Sequence, residues 1–394
     1  MTFLRHSLHP PLGRSPPEER LLRDALARLG PAARARASAR WRAVAPAAAL
    51  TTAADTVSIP LTTVSLRSAF DSTIIVRLRG SAQPDIDLLV DSGNSMLILP
   101  SWQDIAAAPA AADYAVLGDS VEPWGCPAKV VRGPIEIPTV DGSAFEIVDC
   151  TFYACTGPSP DTGATTSNFG VGCLLPWTSS RWNQPDGIGA VLRAPLADAA
   201  GMRFATFEYA PADDVLAMDA QTPQVHAGSL LTLSASEPAG FVWLGIVPGL
   251  PWMSLRPRAL SIDGTRTAWP GDTGAIAMVD TGGTCVFLSD PQDLVCRATW
   301  PPVAANPDWT AQSTACVSTA GTLGLELGDP DGNVYGYTVD PAKLPTAAQG
   351  LTLVMCHENS FMWGQDGLNT GGLSALFNAI AIDYAGQRVG FRPR

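Results

Sequence analysis

The sequence predicts an all-β protein made of two related lobes. Its 394 residues are 46% hydrophobic and 16% charged, which is enough apolar material for substantial cores. From about residue 56, short β-branched or alternating runs such as "STIIVRLRG" and "SLLTLSA" are separated by clusters of Gly, Pro, Asp and Asn. One pattern occurs twice, as "LLVDSGNSMLIL" at 88–99 and "AMVDTGGTCVFL" at 277–288. The repetition assigns one copy to each half of this β-rich body.

The first 55 residues differ in texture from the rest. The stretch "PPEERLLRDALARLG" predicts a short amphipathic helix that begins with Pro and acidic residues and ends at Gly30 and Pro31. An Ala/Arg-rich linker follows, and residues 1–45 contain nine Arg against three acidic residues. The chain as a whole has a net charge of −12, so the body after this basic segment is strongly acidic.

The charge and hydropathy patterns also predict what the protein does not bind. An acidic body repels a phosphate backbone, so no nucleic-acid partner is expected. No run of about 18 apolar residues occurs, so no membrane-spanning helix is expected. The first twenty residues lack the apolar core of a secretory signal, which favours a cytoplasmic bacterial protein. Secretion or a periplasmic location stays open, because "AVAPAAALTTAA" is weakly apolar and the low-charge body also suits export.

The metal-ligating residue types show no motif. The four His are scattered, and the eight Cys form no C-x-x-C motif. The motif H-E-x-x-H is also absent, so the sequence predicts no metal site. The run "GDPDGN" at 328–333 favours a hairpin turn over a calcium loop, because the later ligand positions are missing. Disulfides joining Cys150 to Cys155 and Cys316 to Cys356, or buried thiols, are both open.

The repeated pattern has a chemical interpretation. In each copy an apolar run leads into Asp, then a hydroxyl residue and then Gly. The pattern places Asp91 and Asp280 where a buried strand ends and a tight loop begins, and Gly93 or Gly282 permits the backbone conformation of that loop. Two carboxyls held close together share one proton across an acidic range. Such a pair can activate water while it polarises a carbonyl. The alternative, that each Asp only caps a turn, explains one copy better than two.

These residues carry a resemblance to a known family. The segments "VDSGNS" at 90–95 and "VDTGGT" at 279–284, the shortened "DGIGAVL" at 186–192, and the ending "FNAIAIDYAGQRVGFRPR" are similar to those of the pepsin-like aspartic peptidases, of a bacterial type. The resemblance implies a bilobal pepsin-like acid protease fold with the active-site cleft between two β lobes. The N-terminal lobe would span 56–235 and the C-terminal lobe 236–394.

The resemblance also implies roles for particular residues. Asp91 and Asp280 would be the catalytic dyad, and the hydroxyls of the next residues would cross-brace the two loops. A β-hairpin flap over the cleft corresponds to "VEPWGCPAKVVRGPIEI", with its tip at Trp124 and Gly125. The residues expected to support the dyad are Ser92, Gly93, Asn94, Thr281 and Gly282.

Three positions depart from the family pattern. Gly283 stands where the family has a hydroxyl residue, Asn94 replaces the usual Ser but can still donate to the carboxylate region, and Ile98 replaces a Trp that partners the flap. Loss of a donor at Gly283 predicts a dyad that titrates higher than in pepsin-like relatives, and therefore an activity optimum in weaker acid.

The expected function is an aspartic endopeptidase that needs no cofactor, prefers apolar residues around the scissile bond and acts as a monomer, because one chain supplies both Asp. By the same resemblance the basic segment 1–55 would be a prosegment that occupies the acidic cleft; a simple tail is equally compatible. The alternative function, from another class, is a pepsin-fold protein that binds proteins or peptides with weak or no cleavage.

Overall fold

The structure is a computed structural model. It describes residues 56–66, 69–79, 85–107, 111–122, 125–160, 163–172, 194–199, 201–210, 224–248, 253–262, 264–269, 274–282, 286–289, 322–340, 354–357 and 367–394. Several sequence predictions therefore lie outside the described residues: those on the basic segment 1–55, Trp124, the segment 186–192, Gly283 and Cys316.

The described residues are mostly strands, which confirms the all-β class. The strands are β1 Thr56–Leu66, β2 Ala69–Leu78, β3 Ile86–Asp91, β4 Leu97–Leu99, β5 Ala115–Val121, β6 Pro127–Pro138, β7 Ala144–Cys155, β8 Asn168–Gly170, β9 Phe204–Glu208, β10 Gln224–Ser234, β11 Val242–Gly245, β12 Ser254–Ile262, β13 Thr265–Ala268, β14 Ile276–Met278, β15 Val286–Ser289, β16 Leu323–Gly328, β17 Val334–Val339, β18 Val354–His357, β19 Gly367–Asn369, β20 Asn378–Asp383 and β21 Arg388–Pro393. The α-helices are α1 Trp102–Ala106 and α2 Leu373–Phe377, and short 3-10 turns cover Ala111–Asp113 and Pro195–Asp198. Neither α-helix of this described part, each five residues long, could cross a bilayer.

The larger sheet has thirteen strands and closes partly on itself. Its order is β11-β21-β20-β9-β10-β1-β2-β3-β8-β4-β7-β6-β5, and β2 also pairs with β6. That additional pairing, at Arg77 with Glu136 and Leu78 with Ile135, closes a six-stranded barrel of β2, β3, β8, β4, β7 and β6. Among the described strands, β11 and β5 remain the edges of this sheet.

The smaller sheet has eight strands and is built from residues 254–369. Its order is β17-β16-β12-β14-β19-β15-β18, with β13 paired to β12. Strands β16 and β17 form an antiparallel hairpin whose turn is closed by a hydrogen bond from the Asp329 backbone N–H to the Asn333 carbonyl (3.0 Å). The prediction of a hairpin turn at 328–333 is therefore confirmed.

One strand arrangement occurs in both sheets. In the first, β8 lies between β3 and β4, parallel to β3 and antiparallel to β4, and β4 is parallel to β7. In the second, β19 lies between β14 and β15 with the same directions, and β15 is parallel to β18. The register matches as well, because Leu89 pairs with Asn168 and Met278 pairs with Asn369. Leu89 and Met278 each lie two residues before an Asp of the repeated pattern.

Burial explains why these strands form. Along β3 the residues Ile86, Leu88 and Val90 are buried and the residues between them are partly exposed, which is the period-2 pattern of a half-buried strand. The three-residue strands β4 and β14 are buried at every position, as strands covered on both faces are. The apolar runs around each Asp therefore fix both Asp-containing loops to the core.

The last two strands belong to the larger sheet although they follow the smaller sheet in sequence. Strand β20 pairs with β9, bringing Ile382 opposite Ala205, and β21 pairs with β20 and β11. The predicted lobe boundary at 235 and 236 therefore does not coincide with the division between the sheets.

The cysteines Cys150 and Cys155 are both buried thiols, so a disulfide between them was a wrong alternative. Both lie on β7, where five residues of extended chain separate them by about 17 Å, far beyond disulfide reach. The odd spacing also turns them to opposite faces. Cys150 packs in the main core and Cys155 in a small apolar cluster with Met96, Ile98, Cys126, Ala128, Val130 and Tyr153.

A buried carboxylate fastens the C-terminal strands. Asp383 at the end of β20 has a fully buried side chain that accepts hydrogen bonds from Arg203 (2.8 Å), Arg388 (2.6 Å) and the Gly386 backbone N–H (2.7 Å). Burial alone would raise its pKa, but the bonds from Arg203, Gly386 and Arg388 outweigh burial and lower the pKa to about 2. Asp383 is therefore ionised in the folded protein at neutral pH.

We predict that Asp383→Asn lowers the free energy of unfolding by roughly 3 kcal/mol at pH 7, because it leaves two guanidinium groups without their shared buried partner. A carboxyl whose pKa is lowered on folding stabilises the fold above its ordinary pKa of 3.8, and this contribution is lost as the pH falls to about 2. Denaturant unfolding at a series of pH values should show the difference between variant and wild type shrinking over that window. Asp149→Asn, which breaks a surface ion pair with Arg132, should cost less than about 1 kcal/mol. Equal losses for both variants would contradict the prediction.

Candidate active site

The two Asp of the repeated pattern lie together in the structure. Asp91 is the last residue of β3, and Asp280 follows β14 by two residues. Their residues are only 5% and 3% exposed, and the Asp280 carboxyl lies close enough to Asp91 to raise its pKa. Two buried acids that are far apart in sequence thus form one dyad, as the repetition predicted.

The hydroxyl residues after each Asp brace the two loops against each other. The Ser92 backbone N–H donates to Thr281 Oγ1 (3.1 Å), and the Thr281 backbone N–H donates to Ser92 Oγ (2.9 Å). Each hydroxyl also donates to the strand end of the opposite loop, Ser92 to the Val279 carbonyl (2.9 Å) and Thr281 to the Val90 carbonyl (3.3 Å). The predicted cross-bracing is present, and every one of these groups is satisfied where water is excluded.

The glycines of the pattern are required by the closeness of this approach. A Cβ added to Gly93 would lie 2.6 Å from Asp280 Cγ, and one added to Gly282 would lie 2.7 Å from Asp91 Cγ. Both distances are below carbon contact. Each glycine also donates its backbone N–H to the Asp of its own loop, at 2.8 Å for Gly93 and 2.7 Å for Gly282. Each carboxyl therefore rests on the glycine of the other loop.

Two asparagines that sequence reasoning missed complete the dyad. Asn168 Nδ2 donates to Asp91 Oδ2 (2.9 Å), and Asn369 Nδ2 donates to Asp280 Oδ2 (2.5 Å). They lie on β8 and β19, the matching middle strands of the two repeated arrangements. The sequence signal that could have found them is one Asn in a short segment of each half, "SNFG" in the first and "GLNTG" in the second. No local pattern links either segment to an Asp.

The environment changes the acidity of the dyad. Burial raises the pKa of Asp91 well above its ordinary value of 3.8, and the charge of Asp280 and the hydrogen bond to it raise it further. The bonds from Asn168 and the Gly93 backbone N–H act in the opposite direction and do not cancel this effect. Asp91 therefore keeps its proton in weaker acid than an exposed Asp does.

The predicted role of Asn94 is wrong. Its Oδ1 accepts a hydrogen bond from the Met96 backbone N–H (2.9 Å), which makes a local turn, and its buried Nδ2 has no partner among the described residues. Asn168 donates to Asp91 instead. Asp280 receives a side-chain hydrogen bond from Asn369, a donor that the comparison at Gly283 did not consider.

A buried tyrosine lies beneath the dyad loops. Tyr209, just after β9, is buried near the dyad loops, and burial raises its pKa to about 12. Ser72 hydrogen-bonds to Thr63 (2.7 Å), which also bonds to Ser229 (2.8 Å). Ser229 Oγ accepts a hydrogen bond from the Ala210 backbone N–H (2.7 Å), so this line of buried hydroxyls connects the first strands to the residue after Tyr209. Single hydroxyl residues in strands give no sequence signal of such a line.

The hairpin expected to act as the flap is present. Strands β5 and β6 pair antiparallel, and the turn between them is closed by a bond from the Glu122 backbone N–H to the Cys126 carbonyl (3.0 Å). Gly125 lies in this turn with φ of 90°, a conformation that favours Gly. Residues Ala128 and Val130 of β6 share the small apolar cluster with Ile98. Trp124 belongs to the part of the turn outside the described residues.

A scan against protein-family models and a search of the curated proteins both give no match to this chain.

We predict that Gly93→Ala and Gly282→Ala each lower the free energy of unfolding by about 1–3 kcal/mol, because the added methyl must displace a buried carboxyl. Denaturant unfolding measures this loss. Gly336→Ala in β17 is the matched control, since its nearest neighbouring atom would be 3.5 Å away, an ordinary contact. The close approach of the two loops would be refuted if all three variants unfolded at the same denaturant concentration.

Proposed function

We propose that the protein is an aspartic endopeptidase that hydrolyses peptide bonds with a water activated between Asp91 and Asp280. The observation that carries this proposal is the reciprocal geometry of the dyad. The two carboxyls are buried, each lies against the glycine of the other loop, and each accepts a hydrogen bond from one asparagine. A turn-capping role would not require two Asp from distant segments to face each other.

The chemistry follows from one shared proton. In the proposed reaction Asp280 takes a proton from water as the water oxygen attacks the scissile carbonyl carbon, and Asp91 gives its proton to the carbonyl oxygen. The resulting gem-diol then breaks its C–N bond as Asp280 gives its proton to the departing amine and Asp91 takes a proton from one hydroxyl of the gem-diol, which leaves the carboxylic acid product and restores the dyad. The raised pKa of Asp91 keeps the shared proton on the pair in weak acid, as the acid role requires. The reaction uses no cofactor and no covalent intermediate.

The fold proposed with this activity is the bilobal pepsin-like fold, with the dyad in the cleft between two β lobes. It is supported by the two matched arrangements β3-β8-β4 and β14-β19-β15, each with an Asp loop at its end and an Asn in its middle strand. Because one chain supplies both loops, we propose a monomer.

The proposed substrates are peptides or proteins with apolar residues around the scissile bond. Support comes from apolar side chains on β5 of the flap-like hairpin, where Val116, Leu117 and Val121 are exposed to solvent. In the proposed fold these residues would flank the cleft, where they would gain free energy by covering an apolar side chain of a ligand.

The first test is digestion of a mixed peptide library between about pH 3 and 7, with cleavage products identified by mass spectrometry. We expect cleavage that Asp91→Asn and Asp280→Asn each reduce by about 10³-fold and that a statine-type inhibitor blocks. Asp331→Asn, in an exposed turn, is the control and should retain full activity.

Absence of cleavage at every pH, also after removal of residues 1–55, would refute the endopeptidase and favour the alternative, a protein that binds peptides without cutting them. Cleavage that survives in both dyad variants would come from a contaminant or another site and would equally refute the role of the dyad.

The pH profile provides a second test. Because the pKa of Asp91 is raised, we expect the basic limb of kcat/KM to lie well above pH 3.8. Asn168→Leu should move this limb to still higher pH, since it removes a donor that stabilises the ionised form of Asp91. Ser167→Ala is the control, because it changes the residue next to Asn168 and removes only a hydrogen bond to the Asp87 carbonyl. It should not move the basic limb. An optimum at or below about pH 3, or an unmoved limb in Asn168→Leu, would contradict the assignment.

A further inference from the structure

A second group of chemically active side chains lies at the turn of the β5–β6 hairpin. Glu122, Cys126 and Cys155 place a carboxylate oxygen and two sulfurs within 4.8 Å of one another. All three residues are buried, with 2%, 0% and 2% of their surface exposed. We refer to these three residues as the Glu122 cluster. It takes no part in the dyad and stands independently of the proposed function.

Two structural elements bring the Glu122 cluster together. In the hairpin turn, Glu122 Oε1 accepts a hydrogen bond from the Cys126 backbone N–H (2.8 Å), which directs the carboxylate towards the cysteine. Cys155 is the last residue of β7 and pairs with Ala128 of β6. Its side chain therefore lies near Cys126, which directly precedes β6. The backbone register therefore sets the separation of the two sulfurs.

A fourth residue supplies oxygen atoms at the same place. Thr166 Oγ1 lies 3.2 Å from Glu122 Oε1 and 3.6 Å from Cys126 Sγ, and the Thr166 carbonyl oxygen lies 3.9 Å from Cys155 Sγ. In tetrahedral zinc sites, bonds of about 2.3 Å to sulfur and about 2.0 Å to oxygen separate neighbouring ligand atoms by roughly 3.3–3.8 Å. The four groups thus need to move by less than about 1 Å to surround an ion.

We propose that the Glu122 cluster is a binding site for a thiophilic divalent cation of the zinc type, with Cys126, Cys155 and Glu122 as ligands and Thr166 or a water as the fourth. Binding releases one proton from each thiol and forms two metal–thiolate bonds, so a dication is held by two thiolates and one carboxylate. Sulfur ligands select zinc-like ions over magnesium or calcium.

The sequence does not reveal this site. Its ligands follow the spacing Glu-x3-Cys and then a distant Cys on another strand, so no C-x-x-C pattern arises, and the prediction of no metal site rested on that missing pattern. The pairing of β6 with β7 brings the ligands together.

The site would have a structural consequence. Thr166 is two residues before Asn168, the amide donor to Asp91. A cation held by the hairpin turn, β7 and Thr166 would therefore fasten the hairpin to the segment that leads to the dyad. Bound metal stabilises a folded state by its binding free energy.

The experiment is titration of reduced, metal-free full-length protein with Co²⁺ under anaerobic conditions, followed by absorption spectroscopy. We expect one equivalent to produce the thiolate-to-cobalt charge-transfer band and the visible bands of a tetrahedral ion, and Zn²⁺ to displace it. Cys126→Ser and Cys155→Ser should abolish this signal, and Glu122→Gln should weaken binding by about tenfold or more. Cys150→Ser is the matched control, because Cys150 is an equally buried thiol on the same strand outside the Glu122 cluster.

Circular dichroism of each variant separates loss of the site from loss of the fold, and Glu122→Gln keeps both thiols if a Cys variant does not fold. The proposal would be overturned by an absent cobalt signal in folded wild type, or by a signal that persists in Cys126→Ser or Cys155→Ser. A Cys126–Cys155 disulfide in the protein as isolated, detected by peptide mapping without reduction, would also overturn it. None of these results bears on the cleavage assay, so the two proposals can fail separately.

Discussion

The architecture around the dyad depends on how closely two loops approach each other. Gly93 lies against the carboxyl of Asp280 and Gly282 against the carboxyl of Asp91, at separations that no side chain could occupy. Such an approach excludes water, so the groups at the closest point must find their hydrogen-bond partners across the two loops. The crossed bonds of Ser92 with the opposite loop satisfy this requirement. The close approach and these crossed hydrogen bonds therefore depend on each other.

That constraint has an electrostatic cost which the surrounding strands reduce. Burial disfavours the ionised form of Asp91, the neighbouring charge of Asp280 adds to this effect, and the pKa of Asp91 is raised as a result. One amide from each middle strand, Asn168 on β8 and Asn369 on β19, compensates part of the lost hydration. The same register in both sheets places them, so the electrostatics of the site follow from a repeated strand arrangement rather than from isolated substitutions.

The hairpin and the dyad are connected through a short segment. Thr166 contacts Glu122 in the hairpin turn, and Asn168 two residues later contacts Asp91. Glu122 is thus connected to the dyad through the short segment from Thr166 to Asn168.

The sequence by itself determined the all-β class, the turn at 328–333 and the two Asp loops, because period-2 burial and turn residues are local properties that a chain displays along its length. Only the tertiary structure decided which amides reach the dyad, that Tyr209 lies beneath it, and that the residues of the Glu122 cluster meet. It also reversed the role expected of Asn94, whose side chain makes a local turn. The reason is physical: these contacts join residues on different strands, and strand pairing and register, which set the distances, depend on the whole packed core.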